Sequence, residues 1–406
     1  MGSYLNAFIF SRALMATSAY IHIPFCRRRC FYCDFPISVI GNRQRGETSG
    51  TISTYVDWLC QEIKVTPSLG SALTTVFFGG GTPSLLSVPQ LQQILEVVDQ
   101  RFGIASDAEI SMEMDPGTFD FDHVQGYCAL GVNRISLGVQ AFDDELLEQC
   151  GRFHRLADVY RAVEDMHRAQ VSWSLDLISG LPRQTFEQWQ LGLGNAIAAS
   201  PQHISVYDLT IEPQTPFGKQ YQPGEHPLPS ESTTVDMYRL AQRTLTAAGY
   251  DHYEISNYAQ PGHQCRHNRT YWQNRPFYGF GMGATSYTQG QRFARPRTQK
   301  TYRQWLHQYQ QADGILDEPE QPLIEQLTDG LMVGLRLAEG IDLTPFSQAL
   351  GHDFMKMVVD RLKPYVVSGQ VCLEKNRLRL SDPEGFLISN TVISDLFNGI
   401  EEIWDQ

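Results

Sequence analysis

Tyr20-Ile21-His22-Ile23-Pro24-Phe25-Cys26-Arg27-Arg28-Arg29-Cys30-Phe31-Tyr32-Cys33 is an apolar run that passes without a break into three closely spaced cysteines. The first six residues read as a β-strand and the rest as the loop after it. Thiols in a C-x3-C-x2-C spacing suit three corners of a [4Fe–4S] cube, because soft thiolate is the ligand such clusters take and one short loop can wrap them. The fourth iron is then open to a small molecule, as the free position of a catalytic metal is. Structural zinc is the minor alternative: it needs a fourth Cys or His at finger-like spacing, and Cys60 is too isolated to supply one. Eight cysteines in 406 residues are too sparse for a disulfide framework. With no credible secretory signal ahead of them, a reducing cytoplasm is the expected location.

Outward from this loop, apolar β-branched runs alternate with helical periodicity. Strands are expected at about 19–23, 74–78, 108–114, 133–138, 172–178 and 203–209. Helices are expected near 51–65, 88–101, 119–129, 143–149, 155–170 and 185–199. Six βα units are too few to close an eight-fold barrel, so the expectation is an α/β protein built on a partial (β/α)6 barrel. Its site should lie at the carboxyl ends of the strands. Pro- and Gly-punctuated sequence at 212–229 ends the alternation. The barrel is therefore placed at 19–220, an aromatic and glycine-rich continuation at 221–315, and a C-terminal α+β region at 316–406. In the last, helices near 322–337 and 353–367 precede a hairpin around 371–380, an order that suggests a winged-helix-like domain. Residues 1–18 form a separate extension, for which a true translation start at Met15 is the simpler explanation than a targeting segment.

A net charge of −13 argues against a nucleic-acid partner, which would call for lysine and arginine in excess. Nor does it favour an anionic membrane surface. The apolar stretch Ala7-Phe8-Ile9-Phe10 is too short to span a bilayer, so no stable membrane insertion is expected.

Gly79-Gly80-Gly81-Thr82 follows the second strand, where the absence of Cβ lets backbone approach a ligand; a tight turn reads equally well, and the Walker and dinucleotide spacings are absent. Glu113, Gln140, Arg152 and Asp176 stand at or just beyond strand ends, either as ligand contacts or as a salt-bridging network. Cys265-Arg266-His267-Asn268-Arg269-Thr270-Tyr271-Trp272 combines two side chains able to ligate haem iron with flat aromatic surface. A packed histidine is the plainer reading. Arg27, Arg28 and Arg29 could compensate cluster charge, meet tetrapyrrole propionates, or form a solvated loop face.

Together these motifs resemble the radical S-adenosylmethionine superfamily, in the branch that holds the oxygen-independent coproporphyrinogen III oxidases and their haem-chaperone relatives. The resemblance runs from about Tyr20 to the C-terminus. It implies that the open iron chelates the amino and carboxylate groups of S-adenosylmethionine, and that one electron could cleave the sulfonium to an adenosyl radical. It implies roles for residues as well. Gly79, Gly80, Gly81 and Thr82 would hold the methionine ammonium with Glu113, Arg152 would pair with the carboxylate, Gln140 and Asp176 would reach the ribose hydroxyls, and Tyr20 would contact the cofactor. The His267-Asn-x-x-Tyr-Trp motif resembles that of the chaperone branch, where it is associated with haem, which makes His267 and Cys265 the candidate haem residues.

Phe35 stands where the oxidase has a fourth cysteine, and only 19 residues precede Tyr20, against a longer extension in the oxidase. Both features favour a haem chaperone, with haem-acceptor proteins and an electron donor as partners, over an enzyme that converts coproporphyrinogen III to protoporphyrinogen IX. A homodimer is compatible with the sequence. Asp115 departs from the chaperone pattern, in which asparagine precedes the proline.

Overall fold

The protein is described by a computed structural model over residues 15–42, 45–316, 321–351 and 353–404. The first 14 residues of the extension read at 1–18 lie outside the described residues. Six strands and their helices follow the alternation of the sequence. They are β1 (Ser18–Ile23), α1 (Gly50–Val65), β2 (Leu73–Gly80), α2 (Val88–Phe102), β3 (Ile104–Met114), α3 (Phe121–Ala129), β4 (Arg134–Gln140), α4 (Asp144–Gln149), α5 (Leu156–Ala169), β5 (Ser172–Ser179), α6 (Phe186–Ala198) and β6 (His203–Asp208). Helix starts are fixed locally. Ser87 with Gln90 and Thr185 with Gln188 form reciprocal capping boxes at α2 and α6, so the first free amides find partners.

The chain then adds α7 (Pro216–Gln220), α8 (Glu231–Ala247), β7 (Asp251–Glu254), β8 (Asn257–Ala259), α9 (Arg266–Trp272), β9 (Tyr278–Phe280), the hairpin β10 (Thr285–Thr288) with β11 (Gln291–Ala294), and α10 (Gln299–Gln311). Strands β7, β8 and β9 join the main sheet, whose order is β9-β1-β2-β3-β4-β5-β6-β8-β7. The six central strands and β9 run parallel, and at the other edge β8 runs antiparallel to both of its neighbours, β6 and β7. The sheet stays open, as six units require. The three added strands are only three or four residues long, too short to show a period in the aromatic and glycine-rich continuation.

Side chains along the strands divide by the two-residue repeat of the pleat. Ile21, Phe78, Met112, Leu137, Leu175 and Ile204 are fully buried in the core under the helices. The alternate residues, among them His22, Gly79, Glu113, Ser136, Asp176 and Ser205, face the concave side. That inner surface is polar, and its chemistry differs from one end to the other.

The C-terminal region comprises α11 (Leu323–Gly334), β12 (Ile341–Asp342), α12 (Thr344–Leu350), α13 (Asp353–Val367), β13 (Val371–Glu374), β14 (Arg377–Leu380), α14 (Glu384–Leu387) and α15 (Ser389–Trp404). Its antiparallel sheet, ordered β12-β14-β13, and its helices enclose a separate core around Leu331, Phe354, Leu362, Leu378 and Leu396. Its contacts with the barrel include polar ones. His252 Nδ1 lies 2.8 Å from Asp382 Oδ1, and Arg269 donates to both oxygens of Glu339 at 2.9 Å. Among the described residues no helix is long and apolar enough to cross a membrane.

Candidate functional site

A cavity of about 520 Å³ opens at the carboxyl ends of the strands. It gathers the sulfur atoms of the first loop with groups from five other segments: Cys26, Cys30, Cys33, Gly80, Gly81, Thr82, Glu113, Gln140, Arg152 and Asp176 all line it. Gly79 and Tyr20 lie one layer deeper. A Cβ on Gly79 would stand 2.9 Å from the Tyr20 ring and 3.2 Å from Glu113 Oε1, so these three pack together beneath the cavity floor.

The cysteine loop is held by its own arginine and by the strand before it. Arg29 donates to the carbonyls of Cys33 and Phe35, both at 3.1 Å, and of Ile37 at 3.3 Å, which curls the loop round its guanidinium. The Phe31 amide donates to Cys150 O at 3.0 Å. His22 anchors the far end. Its Nε2 faces the Pro36 carbonyl at 3.0 Å, an acceptor only, so Nε2 carries the proton and Nδ1 accepts from the Tyr20 hydroxyl at 3.0 Å. Burial lowers this imidazole to about 4 and keeps it neutral. The sequence reading missed this anchor, and the available signal was a lone histidine inside an otherwise apolar strand.

The glycine turn meets this loop closely. Gly80 has φ +113° and its hydrogen faces the His22 ring, where a Cβ would come within 2.4 Å. A Cβ on Gly81 would lie 2.7 Å from Phe25 O, so only glycine lets the turn nest against the chain entering Cys26. The Gly80 amide donates to Glu113 Oε2 at 3.0 Å, yet burial, with Asp176 and Asp115 nearby, pushes that carboxyl up to about 8. Asp176 is raised by burial as well, although the Ser136 hydroxyl lies 2.9 and 3.1 Å from its two oxygens. Gln140 adopts φ +68°, a left-handed conformation at the cavity wall where non-glycine residues are uncommon.

Arg152 is the centre of charge. It forms an ion pair with Asp115, donates to Gly138 O at 3.0 Å, and places Nη1 3.5 Å from Cys30 Sγ. Its Nε is buried without a partner. The unexpected Asp115 is thus the counter-ion of the expected Arg152, and it also accepts from the Thr82 hydroxyl at 3.0 Å. His154, which the sequence reading passed over, lines the same wall and lies with Nε2 3.1 Å from Val139 O.

The donor set fits the expected cluster and its ligand. Three free cysteines face one cavity, and no group of His, Cys, Asp or Glu among the described residues closes round a single metal ion. Burial raises Cys26 to about 12 and raises Cys33, so the thiols need a cationic centre to ionise. The unpartnered Arg152 Nε and the Glu113 carboxyl line the same cavity, a guanidinium suited to a carboxylate and a carboxyl suited to an ammonium.

His267 and Cys265 lie elsewhere. Helix α9 fills the amino-terminal end of the half-barrel, where His267 is 0% exposed. Its Nδ1 is 2.7 Å from Thr75 Oγ1 and its Nε2 is 2.8 Å from Tyr271 Oη. Glu109 accepts from the amides of Arg266 and His267, both at 3.0 Å, and lies 3.6 Å from Cys265 Sγ. Both ring nitrogens of His267 and the Cys265 thiol have partners within the protein, at the opposite end of the half-barrel from the cavity.

Comparison with known proteins agrees with this geometry. The Radical SAM superfamily pattern matches residues 20–191 and the HemN C-terminal domain matches residues 321–387. The heme chaperone HemW of Synechocystis sp. is 49% identical over 96% of this chain and 98% of its own length, and that of Bacillus subtilis is 33% identical over 92% and 97%. The solved structure of coproporphyrinogen III oxidase (HemN) from Escherichia coli, a radical SAM enzyme, superposes with a TM-score of 0.78 at 23% identity, covering 95% of this chain and 90% of that one. That likeness establishes the fold. Near full-length identity of this order, carried by a chain whose cysteine loop and strand-end residues meet in one cavity, places the protein in the HemW family of the radical SAM superfamily.

Proposed function

We propose that the protein is a haem chaperone that binds a [4Fe–4S] cluster, S-adenosylmethionine and haem, and passes the haem to acceptor proteins. The observation that carries this reading is the cavity itself, where three free thiols and the half-used Arg152 share one space at the strand ends. The extended identity to relatives named heme chaperones supports the chaperone over the oxidase, and Phe35 in place of a fourth cysteine agrees.

In this reading Cys26, Cys30 and Cys33 hold the cluster, and the cluster with its open iron supplies one-electron chemistry toward S-adenosylmethionine. Arg152 keeps its Nε for the carboxylate while Asp115 and the Gly138 carbonyl hold its Nη2. Glu113 is protonated in the empty cavity and gives up that proton when an ammonium settles against it, which ties ligand entry to a proton leaving Glu113 Oε. Gly79, Gly80, Gly81 and Thr82 let the ammonium approach backbone, Tyr20 supports Glu113 from below, and Gln140 and Asp176 offer acceptors to hydroxyls. An electron donor and a haem acceptor are the required partners, the cytoplasm suits the thiols, and a homodimer is compatible.

Anaerobic reconstitution followed by haem titration tests the reading. Stoichiometric haem binding and transfer to an acceptor that depends on the cluster are expected. No haem binding, or transfer that proceeds equally without the cluster, refutes it. Anaerobic incubation with coproporphyrinogen III and a reductant should yield no protoporphyrinogen.

A further inference from the structure

Three large aromatic side chains stand exposed around the cavity opening, each on a different element. Phe35 on the cysteine loop is 60% exposed, Phe153 before α5 is 39% exposed and Tyr207 at the end of β6 is 43% exposed with its hydroxyl turned inward to Ser205 and Asp176, and all three line the cavity. Clustered apolar exposure on one face of a folded protein marks a binding surface.

Two arginines of the cysteine loop belong to the same opening. Arg28 is exposed there. Arg27 is 8% exposed, its guanidinium lies 5.0 Å from the Phe153 ring centre, Nη1 donates to Gly117 O at 2.8 Å, and Nε is buried without a partner. A buried guanidinium edge left unpaired is an unspent anion donor. The carboxyl side chains Asp208 and Glu212 come from the last residue of β6 and the segment after it. The opening therefore offers aromatic faces from three elements, cations from one loop and acids from another segment. A flat apolar disc with both carboxylates on a single edge complements this arrangement.

We propose that the mouth of this cavity is the porphyrin site: the macrocycle lies across Phe35, Phe153 and Tyr207 with its propionates turned to Arg27 and Arg28. This rests on the haem-chaperone reading above. It assigns recognition to the ring and its propionates, not to axial ligation by His267, whose nitrogens are engaged at the other end of the barrel.

The test titrates haem and metal-free protoporphyrin IX into the anaerobically reconstituted protein, its R28E/F35S variant and H267A, with iron, sulfide and circular dichroism checking each sample for cluster and fold. The proposal expects both porphyrins to bind the parent protein with comparable affinity, R28E/F35S to bind both roughly tenfold or more weakly while keeping its cluster, and folded H267A to match the parent. Should R28E/F35S disturb the cluster, F153S and R27Q provide the same comparison on a different loop and a different arginine. Unchanged affinity in a folded rim variant, or haem binding without protoporphyrin binding, overturns the placement and leaves the chaperone reading standing. Failure of the parent protein to bind haem at all refutes that reading, and the placement with it. A rim variant that binds both porphyrins normally but no longer delivers haem would make this face a protein-docking surface and overturn the proposal.

Discussion

The two ends of the half-barrel are built on the same strands and have opposite chemistry. At the amino-terminal end α9 is inserted between Ser18, Thr75 and Glu109, and the polar groups meet one another: Ser18 with Thr270 at 3.0 Å, Thr75 with His267 at 2.7 Å, Glu109 with two helix amides. At the carboxyl end three thiols line one cavity, two arginines keep an unpartnered Nε, and burial pushes the Glu113 carboxyl up to about 8. Buried groups without a partner occur at both ends, Trp272 Nε1 and His203 Nδ1 at the amino-terminal one, so what marks the ligand end is that its thiols and guanidinium groups open into a cavity. Histidine and cysteine therefore mean different things at the two ends, although the residue types are the same.

Substitution at the open end should produce the largest effect. Cys30→Ala removes one of the three proposed cluster ligands, so iron and sulfide content should fall to background while the unfolding midpoint of cluster-free protein stays close to that of the cluster-free parent. A variant that retained a full cluster would break the comparison. At the filled end the effect should appear in stability instead. His267→Ala leaves the Thr75 and Tyr271 hydroxyls without their partner and opens a cavity, at a cost of about 2–4 kcal/mol in denaturant unfolding, with porphyrin affinity per folded molecule unchanged. A smaller loss, about 1 kcal/mol, is expected for Glu109→Gln, which keeps the shape but removes the charge facing the first amides of α9.

A further effect is a pH dependence at the open end. Glu113 titrates at about 8 in the ligand-free fold against 4.5 in an unconstrained chain. Its contribution to stability is complete below pH 4.5 and disappears as pH rises through 8, because over that window the folded form holds a proton that the unfolded form has released. In Glu113→Gln this decline should be flatter between pH 5 and 8, as thermal unfolding of ligand-free protein would show. An identical slope in parent and variant would remove Glu113 from the account.

The alternation of strands and helices was legible because each central strand is long enough to show its two-residue repeat, and each helix carries a cap and an apolar stripe. The site was legible where chemistry is compressed into one loop, as in Cys26-x3-Cys30-x2-Cys33, or where a charged residue ends an apolar run, as with Glu113 and Asp176. Pairings across the fold were not. That Asp115 would neutralise one edge of Arg152 depends on two loops 37 residues apart converging. Whether His267 faces a ligand or a core depends on which end of the barrel a seven-residue helix occupies, and that is decided by tertiary packing through Glu109, Thr75 and Ser18.

The central claim is that three thiols at the carboxyl end hold an iron–sulfur cube with one open iron beside Arg152 and Glu113. Electron paramagnetic resonance of the reduced, anaerobically reconstituted protein with and without S-adenosylmethionine tests it most directly. The account predicts a cluster signal that changes when S-adenosylmethionine is added, because the fourth iron gains a ligand. Zinc in place of iron, no metal, or a cluster signal indifferent to the addition would contradict it.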